Sequence, residues 1–198
     1  MKNLLLLLLL FTSAVTAYSQ RQKHISLAVT NHNSAMPFSK FGGLFQPPLH
    51  PGFEVAYDFN WKTRKKHDWF QSVKVGYFYH RFVQHGIPLY TTFGYRYKFS
   101  KAWSAESSLA AGYMHSIPAT AKFKLNEAGE YENNKGIGRM QAIAAFNVGA
   151  SHTITNSSTK SVTVFTLYQQ RLQFPFINNY VPLLPYNTLM IGVRSPLK

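Results

Sequence analysis

Pro51-Gly52-Phe53-Glu54-Val55-Ala56-Tyr57-Asp58-Phe59-Asn60-Trp61 is the stretch on which the reading of this chain turns. Every odd position from Phe53 to Trp61 is large and apolar, and every even position from Gly52 to Asn60 is small, polar or acidic. Side chains leave a pleated strand on alternate faces, so unbroken period-two alternation predicts a β-strand with one apolar and one polar face.

Seven more segments extend the pattern outward from this one. His24 to Asn31 carries Ile25, Leu27 and Val29 on one face. Trp69 to His80 sets Trp69, Val73, Val75, Tyr77 and Tyr79 against Ser72, Lys74, Gly76 and His80. Ile87 to Phe99 sets Leu89, Phe93, Tyr95, Tyr97 and Phe99 against Thr92, Gly94, Arg96 and Lys98. Ala102 to Met114 opposes Trp103, Leu109 and Tyr113 to Ser104, Glu106 and Ser108. Arg139 to Ser151 reverses parity, with Met140, Ala142, Phe146 and Val148 opposite Arg139, Gln141 and Asn147. Val162 to Leu172 sets Val162, Val164, Tyr168 and Leu172 against Gln169 and Arg171, which leaves Phe165 and Leu167 on the polar side and the register open. Tyr186 to Arg194 sets Leu189, Ile191 and Val193 against Thr188, Gly192 and Arg194. Helical periodicity is poor, and the alternating segments are crowded with Phe, Tyr, Val and Thr, so the chain reads as all-β.

The connections separate into two kinds. Short or polar links, Lys62–Asp68, Ser100–Lys101 and His152–Ser161, follow the second, fourth and sixth strands. Long ones, His32–His50, His115–Gly138 and Gln173–Pro185, follow the first, fifth and seventh, with Arg81–Gly86 the one short link on their side. An even number of antiparallel strands with short turns at one end and long loops at the other predicts an up-and-down barrel with both termini beside the short turns.

Composition bounds the class. A positive start, an apolar run from Leu4 to Phe11 and the small-x-small site Ala17-Tyr18-Ser19 predict a secretory signal peptide over residues 1–19, leaving residues 20–198 as one barrel domain. The chain has no cysteine, which excludes a disulfide-stapled secreted domain. Its net charge of +14 invites a nucleic-acid reading. Export and the interleaving of basic residues with an apolar stripe argue against nucleic acid and for contact with anionic lipid. No cofactor or metal is expected, and the default oligomeric state is a monomer.

Alternation alone does not say which face is wet. Phe59, Trp61, Trp69, Tyr97, Phe99 and Trp103 all fall beside two of the short turns, gathering every tryptophan of the chain at one rim. Amphipathic rings at one height predict an interfacial girdle. Opposite that face lie Glu54, Asp58, Lys74, Arg96, Lys98, Glu106, Arg139, Arg171 and Arg194, which are expected to form a charge network filling the lumen of a closed eight-stranded barrel. The opposite assignment, a soluble lipocalin-like carrier with its charges outside, obeys the same alternation.

In export signal, strand count, loop asymmetry and girdle, the chain resembles the small eight-stranded outer-membrane β-barrel proteins of Gram-negative bacteria. The resemblance implies a transmembrane barrel in the outer membrane, in contact with membrane lipids and with lipopolysaccharide. Such proteins end on an aromatic residue, whereas this sequence ends Ser195-Pro196-Leu197-Lys198. Some of them deacylate lipid A with a His-x-Ser pair beside an acidic partner. Here His115 and Ser116 are adjacent and would leave a strand on opposite faces, so those roles are not carried over.

The chemistry-bearing population is histidine: His32, His50, His80, His85 and His115 all fall at the long-loop end. His80, His115 and Glu106 are the candidates for a lipid-modifying hydrolase or acyltransferase, against the blander reading of polar surface. Lys40, Lys122, Lys124 and Lys135 in the outer loops are placed to meet phosphorylated outer-leaflet lipid, and Lys62, Arg64, Lys65 and Lys66 to meet inner-leaflet phospholipid. The loops also carry Phe38, Phe41, Leu44 and Phe45, then Phe174, Phe176, Tyr180, Val181, Leu183 and Leu184, which are expected to pack as a lid over the mouth. The primary expectation is a non-enzymatic envelope or ligand-binding barrel. The alternatives are an outer-leaflet lipid-modifying enzyme and a soluble periplasmic carrier.

Overall fold

A computed structural model of the chain describes residues 22–36, 39, 41–121, 123–133, 136–155, 161–176 and 182–197. The leader, Phe38, Lys40, Lys122, Lys135, Tyr180, Val181 and Lys198 lie outside the described residues. The elements run in the order β1 (Lys23–Ser34), a 3-10 turn (Phe41–Leu44), β2 (Pro51–Thr63), β3 (His67–His80), β4 (Gln84–Lys98), β5 (Trp103–Pro118), β6 (Phe123–Leu125), β7 (Tyr131–Asn133), β8 (Arg139–Thr155), β9 (Ser161–Phe174) and β10 (Leu184–Leu197).

Eight of these close into one antiparallel barrel in the order β1-β10-β9-β8-β5-β4-β3-β2, while β6 and β7 form a separate hairpin. All eight alternating segments are strands of the barrel, each longer than the alternation marks. The extra residues come from the link ends, where pairing continues after hydrophobic alternation stops. At roughly 3.3 Å per residue, even the 12 residues of β1 cross a ~25 Å apolar band at a 45° tilt.

The apolar face points out and the polar face points in. Val29, Phe53, Val75, Leu89, Phe93, Leu109 and Ile191 are exposed, while Glu54, Asp58, Lys74, Arg96, Glu106 and Arg194 are buried. That orientation rules out the lipocalin-like alternative, in which the same two faces would be exchanged. Asp68, read from sequence as a turn residue, is instead the second residue of β3 and is only 2% exposed. The basic run before it masks the strand start.

Inside the barrel three phenyl rings lie over glycines of the neighbouring strand. Phe70 pairs across from Gly94, Phe78 from Gly86, and Phe165 from Gly192. A Cβ on any of these glycines would come within 2.6 Å of the facing ring. The missing side chain is therefore what lets each ring lie flat across the lumen. Phe165 explains the parity left open in the seventh segment: with Leu167, Ala28 and Met190 it forms an apolar cluster inside the barrel. A second cluster gathers Phe78, Tyr90, Met114, Ile143 and Tyr186.

The ring-over-glycine arrangement makes a sharp prediction. Gly86→Ala should destabilise the folded barrel by about 1–3 kcal/mol through overpacking against Phe78. Adding Phe78→Leu should recover much of that loss in urea unfolding from lipid vesicles.

Candidate functional site

The lumen is layered. In the layer beside the short turns, Arg194 donates from Nε to Asp58 (3.0 Å) and from Nη1 and Nη2 to the two oxygens of Glu106 (3.3 and 3.2 Å). Arg96 Nε donates to the same Glu106 at 2.8 Å, and Lys98 Nζ to Asp68 at 2.8 Å. Arg96 also stands 4.0 Å from Asp68. Three carboxylates and three cations thus neutralise one another. Guanidinium pairs with carboxylates bidentately, and that geometry suits a dry interior better than a point charge.

The middle layer centres on Glu54. It accepts from Lys74 Nζ at 3.2 Å and from the Tyr90 hydroxyl at 2.5 Å, with Arg171 Nη2 at 3.9 Å. Arg171 Nε donates to Gln169, which in turn donates to Asn147 at 2.7 Å. The Arg171 guanidinium lies over the Tyr90 and Phe78 rings, 5.4 and 5.8 Å from their centroids. Arg96 lies likewise over Phe70 at 4.6 Å and Arg194 over Phe165 at 5.2 Å. Each buried guanidinium is therefore held by a carboxylate and a ring face together.

Beneath the long loops the filling changes to neutral amides. Gln84 and Gln173 bond reciprocally at 2.6 and 2.9 Å, Gln173 also donates to Gln141, and the Ser116 hydroxyl donates to Gln84. Gln141 donates to the Pro175 carbonyl at 2.8 Å, tying the β9–β10 loop to the wall. None of this cluster stood out in sequence, because a search for chemistry weighs charge and a glutamine carries none. Its one signal was position: Gln141 sits on the polar parity.

Arg139 is the exception within the expected charge network. It stands at the mouth with its guanidinium 5.6 Å from the Phe176 ring, and among the described residues it has no carboxylate partner. Parity places it on the inner side, but the strand there has already risen past the last acidic layer.

The catalytic candidates do not meet. His80 points into the lumen and stacks on His50, with centroids 3.7 Å apart and planes 8° from parallel. His115 is on the outer face of β5, where Nδ1 bonds the Tyr113 hydroxyl at 2.9 Å and Nε2 the Ile137 carbonyl at 2.9 Å. Ser116 faces the lumen, so the two neighbours are on opposite sides of the wall. Glu106 lies nine positions down the same strand from His115, roughly 30 Å away, inside the ion-paired layer. Among the described residues no group of three or more His, Asp or Glu side chains could hold a metal.

The loop apolar residues divide. Leu44, the last residue of the 3-10 turn, is buried and its carbonyl accepts from Asn31 Nδ2 at 2.7 Å, and Asn187 donates to Ser39 O at 2.6 Å. Phe45 and Leu49 remain exposed. The first loop therefore caps part of the mouth rather than packing wholly as a lid.

On the outer face near the short turns, Trp61, Trp69, Phe99 and Trp103 are exposed and Phe59 and Tyr97 half-buried. Phe59 and Trp61 are in ring contact at 5.9 Å, and Tyr97 and Phe99 at 5.2 Å.

Two consequences can be measured. Glu106→Gln leaves Arg194 and Arg96 without their shared carboxylate and should cost about 3–5 kcal/mol of folding stability. His50 lies in the β1–β2 loop, where burial holds its pKa below the ordinary 6.5 against the opposing pull of its bond to the His32 carbonyl. The folded chain then binds fewer protons than the unfolded one. That stability is complete above 6.5 and is lost as pH falls through the folded value. An NMR titration of the His50 ring should give a midpoint below 6.5.

No protein-family model matches the sequence, and no curated protein is similar to it. Similar folds do occur among solved structures. Neisserial surface protein A superposes with a TM-score of 0.54 at 11% identity, covering 89% of this chain and 97% of that one. The attachment invasion locus protein Ail of Yersinia pestis, in complex with a heparin analogue, gives 0.48 at 14% identity over 89% and 99%. The N-terminal barrel domain of Pseudomonas aeruginosa OprF gives 0.36 at 13% over 90% and 100%. A closed eight-stranded antiparallel barrel, apolar outside and polar within, gives this chain the fold of the small bacterial outer-membrane β-barrel proteins.

Proposed function

We propose that the chain is an outer-membrane barrel that works from its outer end: a sealed, non-catalytic scaffold whose loops bind a lipid, ligand or protein partner. The membrane location is supported by an apolar exterior around an ion-paired lumen, since only a closed barrel crosses a bilayer with every strand paired. The absence of enzymatic chemistry is supported by the separation of His80, His115 and Glu106 on different faces and heights.

The observation that carries the binding role is the β6–β7 hairpin in the loop between β5 and β8. Phe123, Leu125 and Tyr131 share one of its faces and all three are exposed, with Leu125 paired directly across from Tyr131. Its other face pairs Lys124 with Glu132. An amphipathic hairpin that leaves its apolar side uncovered, beyond the barrel wall, is a contact surface. Lys124 beside it fits a phosphorylated lipid such as lipopolysaccharide.

The folded chain should migrate faster unheated than heated in detergent gels and fractionate with outer membranes. In planar bilayers it should give no sustained conductance. Phe123→Ser/Leu125→Ser/Tyr131→Ser should abolish the gel shift with lipopolysaccharide while preserving heat-modifiable migration. A conducting pore, or an undiminished shift in the triple variant, would overturn the proposal.

A further inference from the structure

The barrel's opposite rim carries a feature that the outer-end role does not use. Pairing between β2 and β3 slips at Trp61: Asn60 pairs with Phe70, but Lys62 pairs with Trp69 and Thr63 with Asp68. The inserted residue breaks the alternation of the opening stretch. Trp69 faces outward, so its partner Lys62 shares the outer face, where unbroken parity would have sent it into the lumen. Trp61 stays outside as well, with its indole Nε1 donating to Gln71 Oε1 at 3.0 Å.

Lys62 thereby stands at the edge of a cleft of about 300 Å³ lined by Arg64, His67, Trp69 and Tyr95. The floor is aromatic: Trp69 meets Tyr95 edge-on at 5.2 Å and stacks on Phe93 at 5.6 Å. His67 Nδ1 is bonded to the Tyr95 hydroxyl, which fixes the ring at the cleft's edge.

Above the floor Lys62, Arg64, Lys65 and Lys66 are all exposed. Among the described residues none of the four has a carboxylate partner, because the flanking acids in sequence both point inward, Asp58 to Arg194 and Asp68 to Lys98 and Arg96. The turn itself is held in place. Arg64 N–H donates to His67 O at 2.8 Å, Lys98 N–H to Lys66 O at 2.8 Å, and Lys98 Nζ to Arg64 O at 3.4 Å.

An apolar cleft on the outer wall, floored by Trp69 and Tyr95 and rimmed by unneutralised cations on a held turn, matches an amphiphile with a phosphate head. Its phosphate would sit against Lys62 and Arg64 and its acyl chain along Trp69 and Tyr95. We propose that this cleft is a binding site for an anionic glycerophospholipid of the inner leaflet. The inference rests on the outer-membrane reading above.

The test uses the full chain reconstituted in nanodiscs of phosphatidylglycerol and phosphatidylcholine at equal moles. The chain is then extracted into detergent, and co-purifying lipid is counted by native mass spectrometry. The wild type should retain phosphatidylglycerol about tenfold over phosphatidylcholine, and Lys62→Gln/Arg64→Gln should fall to near parity. Lys62→Arg/Arg64→Lys should keep the preference. Arg81→Gln/Lys101→Gln, which removes the same charge elsewhere, should also leave it intact. All substitutions are at exposed positions, and heat-modifiable migration checks each fold. Undiminished retention by Lys62→Gln/Arg64→Gln, or equal loss in Arg81→Gln/Lys101→Gln, overturns the site. Insertion without any headgroup preference likewise overturns the site alone, whereas failure of the wild type to insert overturns the membrane reading together with it.

Discussion

Closing eight strands leaves an interior only as wide as the side chains that fill it, and any ion placed there must find its partner there. The rest of the structure follows from how this chain meets that demand. Glu106 sits between Arg194 and Arg96, Asp58 beside Arg194, and Asp68 beside Lys98. The rings of Phe165 and Phe70 support the two guanidiniums from beneath, and Gly192 and Gly94 make room for those rings. The arrangement occurs twice with one grammar. A glycine, one outward residue and an arginine run along β10 as Gly192-Val193-Arg194 and along β4 as Gly94-Tyr95-Arg96, each with a phenylalanine across from the glycine. Charge, ring and vacancy form one unit, so none of the three can be exchanged independently.

The fold was largely legible because alternation is a two-state signal repeated eight times, and Phe53 to Trp61 states it without interruption. What alternation conceals is the exception made for packing. Phe165 faces inward with its ring beneath Arg194, and Leu167 faces inward to join it in the apolar cluster with Ala28 and Met190, requirements that no hydropathy pattern announces. Asp68 was hidden by the basic run Lys62 to His67, which reads as a loop although pairing resumes at His67. Arg139 has the right parity at the wrong height. The amides of Gln84, Gln141 and Gln173 were silent because their contribution is to satisfy one another across strands far apart in sequence.

The candidate chemistry shows the complementary lesson. His80, His115 and Glu106 share reactive side chains and a single end or strand in the linear order, yet the wall of the barrel separates His115 from the other two, and height within the lumen separates His80 from Glu106. Along one strand, adjacent residues inhabit opposite environments, so His115 bonds to Tyr113 on the outside while Ser116 bonds to Gln84 within. Proximity in a barrel is set by parity and height, and a sequence displays only their combination.

Arg194 belongs to β10, the strand whose pairing with β1 seals the cylinder. Until that strand arrives, Asp58 on β2 lacks its ion-pair partner and Glu106 on β5 has only Arg96. The closing segment thus delivers the counter-ion as well as the last row of backbone bonds. An open, seven-stranded sheet leaves three carboxylates against two cations, Arg96 and Lys98, in the layer beside the short turns, which resists burial and keeps that end of the unfinished sheet wet. Completion is marked electrostatically, by a single guanidinium crossing the seam.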